Sequence, residues 1–304
     1  MNIKTFSYMC KLSQKNLKNF VFNELKKTHR GIIHKDGFVY AKGTYPILLV
    51  AHLDTVHKHL PKTIYHDKNK GTLSSTDGIG GDDRCGVYLI LELVKKYNCS
   101  VVFCEDEEIG GVGSQKFAKW IVDYQKEDIN NINFVVELDR KGNNDAVFYD
   151  CDNEDFEAFI TKEYFKSQWG TFSDISYICP AIGVAGVNLS CGYYNAHTTS
   201  EYVVIDDVDN IYKQMCKLLD RSCDIAQFEY VETVYNYSNL NGFSKYANYD
   251  DDYIVEYMEN GEPKCDYASG YTFEEAIGSF LMTHTNICYD DIIDIYSDVY
   301  SNAR

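Results

Sequence analysis

Residues 45–56 read YPILLVAHLDTV. The apolar run does not alternate with polar residues, as a sheet wetted on one side would require, so it predicts a strand covered on both faces. It ends in His52 and Asp54. Working back from it, GIIHKDGFVYAKG (31–43) reads as a hairpin turning at Lys35, Asp36 and Gly37. SQKNLKNFVFNELKKT (13–28) sets Leu17, Phe20, Val21 and Leu25 at helical spacing behind a Ser13 cap. Working forward, a Gly-, Ser- and Asp-containing loop precedes the helix pattern DDRCGVYLILELVKKY (82–97). The strand SVVFC (100–104), the helix SQKFAKWIVDYQ (114–125) and the strand NINFVVELDR (131–140) follow. NEDFEAFITKEYF (153–165) reads as a helix, 175–195 as further strand and loop, and 205–228 as a long closing helix. Strands that alternate with helices predict an α/β fold, a mainly parallel (mixed) central sheet with helices on both faces. Ligands of such sheets gather at the carboxyl ends of the strands.

The 304 residues carry 29 basic and 46 acidic side chains, a formal net charge of −17. That balance argues against nucleic acid and against an anionic membrane as partners. Eleven cysteines without a C-x-x-C pair, and no secretory pattern at the start, predict reduced thiols and a cytoplasmic protein. No apolar run approaches the ~18 residues of a membrane span. Composition changes near Tyr230, dividing the chain into a catalytic domain over 1–228 and an acidic, Tyr- and Asn-rich extension or small accessory domain over 229–304. Two helical patterns, at 272–282 and 289–300, are expected in that extension, which is also a candidate docking region for a basic partner.

The acids and histidines at the strand ends form an ordered series. LLVAHLDTV supplies His52 and Asp54, GIGGDDRCG supplies Asp82 and Asp83, CEDEEIGG supplies Glu107 and Glu108, FVVELDR supplies Asp139, and YYNAHTTSEY supplies His197 and Glu201. Any one of them alone reads as a turn, a cap or a solvated face. Converging on one sheet edge, two imidazoles and several carboxylates make a donor set suited to zinc, with cobalt or manganese as alternatives. Four successive acids, Glu105 to Glu108, follow an apolar strand with no Lys or Arg among them, which calls for a positive group nearby. Glu105 and Asp106 are expected to face solvent or cap the next turn.

The order H-x-D, GGDD, DEE-x-GG-x-GS, ELD, NAHTTSEY resembles the co-catalytic di-zinc exopeptidases, the group of bacterial zinc aminopeptidases, peptidase T and glutamate-carboxypeptidase-like enzymes, over about residues 30–220. The resemblance implies two divalent metal ions bridged by Asp82. His52 and Asp139 would complete one site, and Glu108 and His197 the other. It further implies that Asp54 orients the His52 imidazole, that the Asp82–Asp83 peptide bond is cis, and that Glu107 is the general base for a hydroxide held between the metals. The implied activity is hydrolysis at peptide termini, most simply by an aminopeptidase. A deacylase or carboxypeptidase-type amidohydrolase on small N-acyl substrates is the alternative, followed by an inactive scaffold, which the intact set of positions opposes. The implied partners are a peptide or small amide and a further copy of the chain. The short gaps between motifs leave no room for a lid domain. One departure concerns the tyrosine that some compact members carry three residues before a Ser-Asp pair. Gly170 stands there, before Ser173-Asp174, leaving Tyr177, Tyr193 or Tyr194 to take its place. Arg84 and Arg140, beside the motifs, are expected to form ordinary salt bridges.

Overall fold

The computed structural model describes residues 1–170, 172–222, 225–233, 251–259, 262–270 and 292–297, together with 277, 280, 281, 284 and 287. Two compact units divide it, Met1–Thr233 and Val234–Arg304. Residues 229–233 lie in the first unit, where isolated bridges pair Cys151 with Glu232 and Val184 with Glu229.

The first unit opens with helices α1 (Ile3–Cys10) and α2 (Gln14–Leu25), the latter capped by the Ser13 hydroxyl. The hairpin β1 (Ile33–Lys35) and β2 (Phe38–Ala41) and the strand β3 (Tyr45–His52) follow. Within the expected loop lie two short strands, β4 (Tyr65–Asp67) and β5 (Thr72–Ser74), ahead of α3 (Gly81–Leu93). Next come β6 (Cys99–Cys104), α4 (Val112–Tyr124), the one-turn α5 (Lys126–Ile129), β7 (Phe134–Arg140) and β8 (Asp145–Val147). The unit closes with α6 (Glu154–Thr161), β9 (Lys166–Gln168), α7 (Ile175–Ile182), β10 (Gly186–Ser190), β11 (Tyr193–Tyr194), β12 (Tyr202–Val204) and α8 (Ile205–Asp220).

Eight strands build the main sheet in the order β1-β2-β6-β3-β7-β10-β8-β9. The inner run β6-β3-β7-β10 is parallel, and antiparallel pairs occur toward the edges. The unbroken apolar run of β3 is used on both faces. Ile47, Leu49 and Ala51 enter a core with residues of α1, α2, α3 and α8, whereas Leu48 and Val50 enter a second core with Phe117, Trp120 and Ile121 of α4 and Ile175 and Ile178 of α7. A smaller sheet, β11-β12-β5-β4, frames the turn 195–201.

The segment 175–182 is a helix, not the expected strand. Ile175, Ile178, Cys179 and Ile182 are buried at i, i+3, i+4 and i+7. Pro180 and the β-branched residues disguise that period, and Gly183, at φ 70°, ends the helix.

In the second unit β13 (Asp251–Glu259), β14 (Glu262–Gly270) and β15 (Ile292–Ser297) form an antiparallel sheet in the order β14-β13-β15, with Tyr253, Val255, Tyr257, Ala268, Phe280 and Ile287 in its core. The helical pattern over 289–300 is therefore corrected to a strand over 292–297, in keeping with the β-branched Ile292, Ile293 and Ile295. Residues 234–250 and most of 272–282 lie outside the described residues. Among the described residues, no helix is long and apolar enough to cross a membrane.

Candidate active site

β3 ends on His52, β6 runs into the turn that carries Glu107 and Glu108, and β7 carries Asp139 near its end. Asp82 stands in the first turn of α3, after a left-handed Gly80, and His197 lies in the turn between β11 and β12. The five motifs meet. Ligand atoms of His52, Asp82 and Asp139 lie within 4.8 Å of one another, as do those of Asp82, Glu108 and His197, and those of His52, Glu107 and Glu108. Asp82 is common to the first two groups and turns one oxygen to each. Its Oδ1 is 2.9 Å from His52 Nε2, and its Oδ2 is 3.3 Å from His197 Nε2. Asp139 Oδ1 is 3.3 Å from His52 Nε2, and Glu108 Oε2 is 3.3 Å from His197 Nε2. The Asp82–Asp83 peptide bond is cis.

A buried frame holds these side chains. Asp54 Oδ1 is 3.2 Å from His52 Nδ1, and the two Asp54 oxygens accept the backbone N–H groups of Glu107 and Glu108, each at 3.0 Å. One carboxylate thus orients the imidazole and fastens the loop of the two glutamates. Asp83 accepts the N–H of His52 at 3.2 Å and that of Gly86 at 2.9 Å. Asn188 Oδ1 accepts the N–H of Asp139 at 2.9 Å. Sequence reasoning gave no role to Glu201, yet its fully buried carboxylate accepts the N–H groups of Gly80 (2.8 Å) and Asp82 (2.9 Å) and lies 2.8 Å from His57 Nε2. The one available signal was its place in the last motif. Glu137 and Asp174, also without a predicted role, are buried beside the site, and burial raises both carboxyls, Asp174 to about 6. An acid inside the apolar strand FVVELDR was the signal for Glu137.

Three expectations change. Glu105 does not simply face solvent, because it pairs with Lys18 of α2 and accepts the Gly37 N–H at 2.9 Å. Asp106 Oδ1 accepts a hydrogen bond from Gln14 at 2.8 Å. Arg84 is buried and donates to the backbone carbonyls of Asp54 and Leu12, which ties the N-terminal helices to the site without a salt bridge. Arg140 does approach Asp145, at 3.6 Å. Of the candidate tyrosines, Tyr193 spends its hydroxyl on the Asp139 carbonyl (3.0 Å) and Tyr194 on Asp207 (2.6 Å).

The electrostatics show what the cluster lacks. Burial, reinforced by neighbouring acids, raises Glu107 to about 9, Asp139 to about 8 and Glu108 to about 7. A hydrogen bond to Asp82 leads the causes that raise His197 to about 9. Burial opposes a charged His52, but Asp139, Asp54 and Asp82 outweigh it and raise its pKa. Burial likewise opposes ionised Asp82, and the two imidazoles hold it well below the usual carboxylate range. Among the described residues, Glu108 Oε1 and Asp139 Oδ1 are buried without a well-aligned hydrogen bond. A divalent cation in each Asp82 group would supply the missing charge and partners, and the nitrogen and oxygen donors suit zinc. The residues therefore fit metal binding.

Residues 39–175 match the model of Peptidase family M28. Over this segment, less than half of the chain, the protein is similar to that family. Peptide hydrolysis is the chemistry that this similarity supports. Among solved structures, aminopeptidase PepT from Bacillus cereus aligns with a TM-score of 0.58 and 11% identity, covering 72% of this chain and 97% of that one. A tripeptidase from Staphylococcus aureus aligns at 0.56 and 11%, covering 73% and 98%. The Pyrococcus horikoshii TET1 peptidase, which can assemble into a tetrahedron or a large octahedral shell, aligns at 0.52 and 14%, covering 73% and 98%. These similarities establish a shared fold. No curated protein sequence matches the chain.

Proposed function

We propose that the first unit, similar to Peptidase family M28, is a metal-dependent aminopeptidase that removes residues from the free N-termini of peptides. The observation that carries this reading is the Asp82 carboxylate, which turns one oxygen to His52 and the other to His197. His52, Asp82 and Asp139 would hold one cation, and Asp82, Glu108 and His197 the other, most simply zinc. When bound, such a pair supplies an acidified water and a Lewis acid for the scissile carbonyl. Glu107 takes the proton released by the attacking water and returns it to the leaving amine, a role suited to a buried carboxyl beside the ligands. Asp54 keeps Glu107 and His52 in register by bonding to both. Asp139 and Glu108 carry the charge that the cations balance.

The nine described cysteines are free thiols, which supports a reducing, cytoplasmic setting. By analogy with TET1, the chain is a homo-oligomer, which light scattering of the purified protein tests. The function itself is tested with a library of free and N-acetylated peptides, incubated with zinc-loaded protein and with Glu107→Gln. The expected products are ladders shortened from free N-termini, absent from the variant. Cleavage confined to N-acylated members, or none with metal bound, overturns the assignment.

A further inference from the structure

The residue that leads into Glu107 and Glu108 has a backbone conformation that a side chain disfavours. Asp106 stands at φ 60°, in the left-handed region, where a Cβ crowds the following carbonyl. Asp tolerates that region better than most residues, yet such a backbone persists only where its surroundings hold it. Immediately after it, the N–H groups of Glu107 and Glu108 meet the two oxygens of Asp54 at 3.0 Å each. The placement of both glutamates thus depends on what fixes Asp106 on the other side of the turn.

The Asp106 carbonyl accepts the Val112 N–H at 3.0 Å, and Gln14 takes the rest of the residue. Gln14 Nε2 donates to Asp106 Oδ1 at 2.8 Å, and the Asp106 N–H donates to Gln14 Oε1 at 3.3 Å. One side-chain amide therefore fixes both the carboxylate and the backbone of the left-handed residue. Gln14 opens α2, and Lys18, one turn further on the same face, pairs with Glu105. The helix that presents them is itself anchored, because Leu17, Val21 and Leu25 are buried in the core. Arg84 completes the frame. Its guanidinium donates to the Asp54 carbonyl and, at 3.2 Å, to that of Leu12, two residues before Gln14. The two supports of the turn, Asp54 and Gln14, are thus tied to each other by a fully buried side chain. Gln14 lies ahead of the segment similar to family M28, which begins at residue 39.

We infer that Gln14 is a positioning residue for the hydrolysis: by holding Asp106 in its left-handed conformation, it sets Glu107 and Glu108 against the metal-binding groups. The N-terminal helices are then part of the hydrolytic machinery and not only a cover for the core. The role rests on the aminopeptidase reading, and zinc binding tests it without turnover.

The test reverses the pair. Gln14→Glu removes the amide donor and sets a second carboxylate against Asp106. Adding Asp106→Asn to it restores complementarity, since the new amide donates to the new carboxylate while the backbone N–H keeps its acceptor. Gln14→Ala removes the contact without adding charge. Three quantities are measured on the full chain: kcat and KM with the free peptide that the parent cleaves fastest, zinc affinity by calorimetry, and the urea midpoint. In Gln14→Glu and Gln14→Ala, kcat is expected to fall by about 10- to 100-fold with KM little changed, the effect of a misplaced catalytic group. Zinc affinity is expected to fall by about 10-fold, because Glu108 follows Glu107 on the same turn. The double variant should recover most of what Gln14→Glu loses. A loss in kcat or in zinc affinity that the double variant restores upholds the role. Parent values of both in Gln14→Glu, even with a lower urea midpoint, make the contact merely structural and overturn it, as does a loss that the double variant leaves in place. A parent that binds zinc but cleaves no peptide overturns the aminopeptidase, and zinc affinity then decides the role of Gln14. A parent that does neither overturns both.

Discussion

Glu201→Gln tests whether Asp82, the proposed bridging carboxylate, owes its position to a side chain that meets only its backbone N–H. Glu201 is fully buried and meets three donors, the N–H groups of Gly80 and Asp82 and the ring nitrogen of His57, all within 2.9 Å. Glutamine keeps the size but offers one acceptor oxygen and turns an amide donor toward other donors. At least one N–H is then left unpaired in a dry interior, at about 1–3 kcal/mol, and charge-assisted bonds worth about 1.5–3 kcal/mol become ordinary ones. The sum, roughly 2–5 kcal/mol, is a large part of a typical domain stability of about 5–15 kcal/mol. Because the Asp82 N–H is among the released donors, metal affinity should fall as well, by about 10- to 100-fold for the loss of such a support. Both tryptophans lie in the first compact unit, so their fluorescence follows unfolding of that unit in urea. The variant should unfold at a lower midpoint with and without zinc, and zinc titration by calorimetry should show the weaker binding. An unchanged midpoint with unchanged zinc affinity would refute the claim that Glu201 holds the turn.

Glu107→Gln should lower the hydrolysis rate by about 10²–10⁴-fold while the metal content, measured by elemental analysis, stays that of the parent; loss of metal instead would make Glu107 a ligand. Stability of metal-depleted protein should fall as pH rises from about 4 to about 9. Glu107, Glu108 and Asp139 keep their protons to about 9, 7 and 8 when folded but lose them near ordinary carboxylate values when unfolded, so the folded chain binds more protons across that window. His197 acts in the same direction, since a pKa raised from 6.5 to about 9 gives stabilisation that is complete below 6.5 and lost as pH rises through 9. Zinc binds the deprotonated ligands, so thermal midpoints at pH 5, 7 and 9 with chelator should diverge from those with zinc as pH rises, and parallel curves would count against this charge balance. Gly86→Ala should destabilise by at least about 2 kcal/mol, because an added Cβ would come 1.7 Å from the Leu138 carbonyl oxygen and 2.5 Å from Asp83 Oδ1; denaturant midpoints check this, and a midpoint at the parent value would show that α3 stands off β7.

The convergence of the proposed ligands was legible because each lies beside an element with a strong local signature. β3 and β6 announce themselves as apolar runs, α3 as a long helical period, and a parallel sheet turns their ends to one edge. What the sequence hid depends on contacts between distant segments. Lys18 neutralises Glu105 from 87 residues away, so the four acids in a row were never the isolated charge cluster their order suggested. Glu201 reaches Asp82 across 119 residues, and no local pattern marks it as the acid that fixes the turn rather than as a ligand. The helix 175–182 shows the opposite failure, since its local signal was present but masked by Pro180 and by isoleucines that favour strands. Only as a helix that packs against α4 does this segment set Tyr177 against Gly111 and bring Phe172 beside the glutamate turn. The proposed ligands thus follow from the order of short motifs, whereas the support beneath them exists only once the sheet has brought those segments together.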